Sequence, residues 1–276
     1  MLKSQLIGGA CALLISLRAW PAAFDCLIEP TQAIDVGSPV VGLLDKVYVR
    51  RGDRVVKGQV IATLESRAEQ AATELALFKS QALGPTLSAQ SKIEFSQRKF
   101  QRRAQMASEK LMSTQERDDA EAEFKLAEAE LQVAKESRQI AAIEHQQQAS
   151  LLNLRTLRSP FDGVVVDQIL YPGEVVESTG NKKTILKLAQ LDPLRVHVVL
   201  PMAAFRKITP GMSAQVTLES PIGGTYPAKV KTLDKLIDAA SGTFAAFLEM
   251  RNPALAIPAG VKCKAEFPVA LEQAAH

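Results

Sequence analysis

Three histidines and three cysteines in 276 residues leave little material for a metal or nucleophile site. His145, His197 and His276 stand apart, and no His, Cys or Asp cluster has metal-ligand spacing. The chain has no Gly-x-Ser-x-Gly elbow, no P-loop and no Rossmann fingerprint. No catalytic residue, cofactor or metal is therefore assigned. Charge excess is also lacking: 33 basic residues face 30 acidic ones. Removing Lys3 and Arg18 with a leader brings the totals almost level, so electrostatic binding of nucleic acid has no support. Aromatics make up only 5 %, a composition that fits a slender, helix-rich molecule.

Long apolar runs are scarce too. The one at the N-terminus, Leu6 to Leu17, falls short of the ~20 residues that span a bilayer. Lys3 precedes it, and Arg18 with Ala19-Trp20-Pro21-Ala22-Ala23 follows. This reads as a signal peptide over residues 1–23 and predicts export. A lipid anchor at Cys11 is the weaker reading, because no Leu stands three residues before it. With Cys11 gone, Cys26 and Cys263 remain as a candidate disulfide in an oxidising compartment. The alternative is two unpaired small apolar residues. Both lie in predicted strands.

Proline and glycine are missing from residues 66–154 except at Gly84-Pro85. The stretch is rich in Ala, Glu, Gln, Lys and Leu, which favours long helix. A second interruption falls near Leu111-Met112-Ser113, where Ser113-Thr114-Gln115-Glu116 forms a capping box. After it, Ala120, Phe124, Ala127, Leu131, Ala134, Ala141 and Leu152 share one heptad seam, interrupted by Arg138, His145 and Gln148. Before it, Ala68, Ala71, Leu75, Phe78 and Ala82 make one seam, and Ile93, Phe100, Ala104, Ala107 and Leu111 another. The pattern predicts a projecting antiparallel hairpin with arms of about 40 residues, roughly 60 Å long.

The hairpin interrupts a repeat. Ser38-Pro39-Val40-Val41-Gly42 and, further on, Gly52-Asp53-Arg54-Val55 precede it. Ser159-Pro160-Phe161-Asp162-Gly163 and Gly173-Glu174-Val175-Val176 follow it, at one constant offset. Two matching half-domains, 36–65 and 155–183, are therefore expected to fold as one sandwich. Asp53 and Glu174 occupy equivalent turn positions, where holding the turn is the expected role. Beyond them, strands are expected at Leu191–Leu200, Ala214–Leu218, Ala228–Leu233, Phe244–Met250 and Val261–Phe267, with a short helix over Met202–Ile208. This spacing predicts a small antiparallel barrel over 184–270, joined by a strand from 24–35 and followed by a tail at 271–276.

Val36 to Gly42, Val49 to Gln59 and Leu64-Glu65 resemble the first half of a biotinyl/lipoyl-like domain. Arg155-Thr156-Leu157-Arg158-Ser159-Pro160-Phe161-Asp162-Gly163-Val164 resembles the second half. Together they resemble the periplasmic adaptors, or membrane fusion proteins (HlyD/AcrA-like), of Gram-negative tripartite efflux pumps. The resemblance implies an α+β, elongated, multidomain fold: a coiled-coil hairpin inserted in a split lipoyl-like sandwich, then a β-barrel. It implies no enzyme activity. It implies a periplasmic protein, peripheral to the inner membrane, that links an RND-type inner-membrane transporter to a TolC-like outer-membrane channel. Copies would self-associate as a trimer or hexamer around the pump axis. An ABC exporter or type I secretion system is the alternative setting. A coiled-coil scaffold or a carrier subunit is the alternative class. The carrier is disfavoured because Leu64-Glu65-Ser66-Arg67 holds no lysine for biotin or lipoate. Many RND adaptors continue into a membrane-proximal domain, and no such segment is expected before His276. The resemblance also implies a channel-contacting tip at Arg102, Met106 and Ser113, with Met106 where the adaptors carry Leu.

Overall fold

The computed structural model describes residues 23–177 and 184–268. Residues 1–22 of the expected leader 1–23, with Cys11, lie outside the described residues, as do the expected tail and the end of the expected second half-domain at 178–183. The described chain divides into two units, one built from 23–34 with 189–268 and the other from Asp35 to Leu188. The division falls inside two continuous strands, β1 (Ala23–Gly37) and β8 (Thr184–Pro201), within a few residues of the boundaries expected at 35/36 and 183/184.

The first unit is a closed six-stranded sheet. β1 pairs with β12 (Lys262–Glu266), and the order continues through β9 (Ser213–Leu218), β10 (Thr225–Leu233), β11 (Thr243–Met250) and β8, which returns to β1. Alternation decides the inside. Leu194, Val196, Val198 and Leu200 of β8 are fully buried, as are Val216 of β9 and Leu248 of β11. At one end Asn252 is buried and fully used. Its side-chain amide donates to Leu191 O and Ile257 O, and its Oδ1 accepts from Ile257 N. This satisfies backbone groups in the β11–β12 connection that water cannot reach.

The second unit holds the repeat and the hairpin. The two halves exchange their strands. β7 (Val175–Val176) pairs with β2 (Gly42–Val47), and β3 (Arg54–Val55) pairs with β6 (Gly163–Gln168). The turns match atom for atom. Gly52 N donates to Val165 O and Gly173 N to Leu44 O, each at 2.8 Å, and both glycines have φ +93°. That conformation suits residues without a Cβ. Asp53 Oδ2 accepts from Arg50 N, and Glu174 Oε2 accepts from Tyr171 N, both at 2.7 Å. The two carboxylates hold turns, one in each half. β4 (Val60–Leu64) and β5 (Thr156–Arg158) pair where the hairpin leaves and returns.

Candidate functional site: the helical hairpin and its tip

The outgoing arm is two helices, α1 (Arg67–Gln81) and α2 (Gly84–Ser108), broken at Ala82-Leu83, with Pro85 in the first turn of α2. Proline is tolerated there because its missing N–H would have had no helical partner. The returning arm, α3, runs unbroken from Thr114 to Asn153. Its 40 residues make it about 60 Å long. Lys92–Glu130, Lys99–Glu123 and Arg103–Glu116 ion pairs step along the two arms in opposite directions, so the arms are antiparallel. Phe100 and Phe124 stack between them at 6.1 Å.

The inner seam of α3 is the expected one. Ala120, Ala127 and Leu131 are buried, and Phe124, Ala134, Ala141 and Leu152 are half-buried. His145 and Gln148 also fall on it, half-buried, while Arg138 swings out to reach Ser80 O. On α2 the expected seam holds at Ile93, Phe100, Ala104 and Ala107, with buried Ser96 between them. Leu111 instead is 69 % exposed. On α1 the expectation fails. Ala68, Ala71, Leu75, Phe78 and Ala82 face solvent, and Phe78 is 74 % exposed. Glu69, Ala72, Thr73, Ala76 and Ser80 face α3 instead. Small side chains let two helices approach closely, and here that outweighs apolar area.

The tip is built from two capping structures. α2 ends with Lys110 in the left-handed region (φ 61°). Leu111 N donates to Met106 O and Lys110 N to Ala107 O, the hydrogen-bond pair of a Schellman motif. Ser113 caps α3, its Oγ accepting from Glu116 N at 3.3 Å. Glu116 returns to Ser113 Oγ and also meets Arg103. Arg102 and Met106, one turn apart on α2, are exposed. Arg103 is thus engaged within the hairpin, while Arg102 makes no ion pair among the described residues.

At the base, Arg155 ties the hairpin to the sandwich. Its guanidinium donates to Val41 O and to the carboxylate of Glu69 on α1. Gly42 lies against it, where any Cβ would collide with the guanidinium. The turn that a carrier would modify holds Glu65 paired with Arg67 instead of a lysine.

In the barrel unit Cys26 and Cys263 are directly opposed across β1 and β12 and joined as a disulfide, S–S 2.06 Å and Cα–Cα 4.8 Å. His197 stacks on Phe247, with Glu29 Oε1 3.6 Å from its Nδ1. Sequence reading left this histidine without a role. Its neighbours come from strands distant in the chain, so no local motif announced them. Among the described residues no group of three or more His, Cys, Asp or Glu could hold a metal ion. No described helix is long and apolar enough to cross a membrane.

A hairpin inserted between duplicated half-sandwiches defines a class of protein. The CzcB-like barrel-sandwich hybrid domain matches residues 32–190, and the chain belongs to that family. The pyoverdine export membrane fusion protein PvdR of Pseudomonas aeruginosa is 24 % identical over 207 residues, 75 % of this chain and 53 % of that protein. The macrolide export protein MacA of Yersinia pestis is 25 % identical over 231 residues, 82 % of this chain and 62 % of that one. The crystal structure of MacA from Actinobacillus actinomycetemcomitans superposes with a TM-score of 0.75 at 23 % identity, covering 89 % of this chain and 77 % of that chain. The chain spans roughly half to three-fifths of the length of these curated relatives.

Proposed function

We propose that this protein is a periplasmic adaptor of an efflux system. It joins an inner-membrane transporter to a TolC-like outer-membrane channel and performs no chemistry of its own. The hairpin acts as a coiled coil on a lipoyl-like sandwich and meets the channel through Arg102, Met106 and Ser113. The observation that carries this reading is the tip. Arg102 and Met106 stand exposed at the end of an arm about 60 Å long, locked in place by caps on both helices. A free guanidinium offers several donors to channel carbonyls, and Met gives an adaptable apolar contact.

Self-association round a pump axis has its own support. Leu75 and Phe78 on α1 and Leu126, Val133 and Ile140 on α3 expose large apolar side chains at helical spacing. Exposed apolar stripes of this kind mark interaction surfaces. Export-cognate names among the relatives agree with this setting. RND and ABC transporters both remain compatible partners, and the transported substrate is set by that partner.

The test compares Arg102→Asp with Arg103→Asp in cells carrying the channel. Arg102→Asp should abolish channel cross-linking from the tip and export activity while leaving the melting temperature unchanged. Arg103→Asp should lower hairpin stability through loss of the Glu116 pair. Normal cross-linking by folded Arg102→Asp protein would sink the tip assignment.

A further inference from the structure

The seam that heptad counting selects on α1 is intact, but it points away from the hairpin. Ala68, Ala71, Leu75, Phe78 and Ala82 recur at intervals of three and four residues, and all five are exposed. α3 carries a second seam behind its buried one. Ile140, Ile143, Gln147, Leu151 and Leu154 recur at the same intervals and are likewise exposed. The two outer seams stand level. Arg138 Nε donates to Ser80 O, which sets these two residues side by side. Counting from there along antiparallel arms puts Phe78 level with Ile140, and Leu75 level with Ile143.

At about 100° per residue, each outer seam stands roughly 130° round its helix from the face that meets the other arm, turned in the same sense on both helices. On antiparallel arms, equal turns in one sense lean both seams to the same side of the hairpin. The hairpin thus has two unlike apolar edges, and neither is covered by the described chain. The edge on the outgoing arm ends at the helix break. Beyond Ala82-Leu83 the outward positions of α2 hold Ser88, Ser91 and Phe95, and small hydroxyls do not extend an apolar seam.

The charges beside the two edges are complementary. Lys79 borders Phe78, is exposed, and makes no ion pair among the described residues. Glu136 and Glu144 stand one turn to either side of Ile140, exposed and likewise without an ion pair among the described residues. Glu74 lies on the opposite border of its seam from Lys79, where Gln139 and Gln146 of α3 offer amide donors. Arg67 is already held by Glu65.

We infer that the base-proximal half of the hairpin is a joint between copies of this chain, in which the α1 seam of one copy packs on the outer α3 seam of the next. Phe78 meets Ile140, Leu75 meets Ile143, and Lys79 reaches Glu136 and Glu144. This rests on the self-association proposed above and assigns its contact. Two unlike edges on one chain make the contact heterologous, and their common lean curves successive copies toward closure. The distal helix α2 takes no part, so Arg102 and Met106 stay free. An unrelated helix would cover one seam, but it gives no reason for a second seam at the same level, with opposite charge beside it, on the other arm.

The experiment is sedimentation velocity of the exported protein over a range of concentrations, with no channel or transporter present. The parent should associate reversibly. Phe78→Asp and Ile140→Asp should each weaken association about tenfold. Lys79→Glu should weaken it about threefold, and Glu144→Lys in the same chain should restore part of that loss. Phe95→Asp, beyond the break, is the control and should associate like the parent. All these sites are exposed, and unchanged melting curves establish that the variants are folded. A benzophenone cross-linker at position 78 should capture a second copy within residues 136–147. Capture of α1 of the second copy, or parent-level association by folded Phe78→Asp, overturns the joint and leaves self-association to other surfaces. A parent that stays monomeric overturns both. Neither result touches the tip assignment, which is tested on the channel.

Discussion

At the scale of single residues, the informative contacts are close approaches and caps. Gly42 is small because Arg155 needs the space. Gly42→Ala should push the guanidinium away from Val41 O and Glu69, costing about 1–3 kcal/mol through unmet, partly buried hydrogen bonds. Urea unfolding measures that loss, and Arg155→Lys should recover little of it because an ammonium cannot bridge both acceptors in the same plane. A parent-like unfolding midpoint for Gly42→Ala would show that the base of the hairpin tolerates rearrangement. Lys110 poses the opposite case. It holds a left-handed conformation that glycine adopts at no steric cost. Lys110→Gly should therefore raise hairpin stability by roughly 0.5–1 kcal/mol, whereas Ser113→Ala should lower it by about 1 kcal/mol through loss of the cap. If Ser113→Ala impairs channel contact by no more than this stability loss explains, Ser113 acts as a cap alone.

At the scale of elements, the seam of the hairpin separates packing from surface. Leu131 is buried against the outgoing arm, and Leu131→Ala should cost about 2 kcal/mol or more. Phe78 is larger but lies outside, so Phe78→Ser should change stability by less than about 0.5 kcal/mol. Circular dichroism melts of both variants check this, and a large loss for Phe78→Ser would return that residue to the interior. The contrast also marks what the sequence made legible. In α3 the heptad positions Ala120, Ala127 and Leu131 are buried while Leu126, Val133 and Ile140 are exposed, so heptad spacing, and not apolar character alone, located the interface. In α1 the interior positions are Glu69, Ala72, Thr73, Ala76 and Ser80, which no hydrophobicity count selects. The constant offset between Ser38-Pro39 and Ser159-Pro160 made the shared sandwich readable, because each turn needs a glycine and a carboxylate, Asp53 in one half and Glu174 in the other; the exchange of strands between the halves was not. Barrel strands were readable from alternation and turn residues. The contacts of Arg155 and of His197 were not, because each depends on which distant strands become neighbours.

At the scale of the whole molecule, the chain builds the first strand of the barrel, completes the other unit, and only then supplies the remaining barrel strands. Closing the barrel therefore joins residues far apart in sequence: the Cys26–Cys263 bond spans 237 positions. A crosslink closing so long a loop restricts the unfolded chain strongly, and the expected contribution is about 2–4 kcal/mol. The pair is almost fully shielded, Cys26 at 7 % and Cys263 at 2 % exposure, in the same core as Phe24 and Phe267. A shielded disulfide should resist mild reductant in the folded protein and be lost once the barrel opens. The double variant Cys26→Ser, Cys263→Ser should thus unfold its barrel at lower denaturant while the hairpin melts as before, since the bond and its core belong to the barrel unit. Thiol titration of unreduced protein recovered from the exporting compartment decides the premise. Two free thiols there would show that the barrel closes on packing and strand pairing alone.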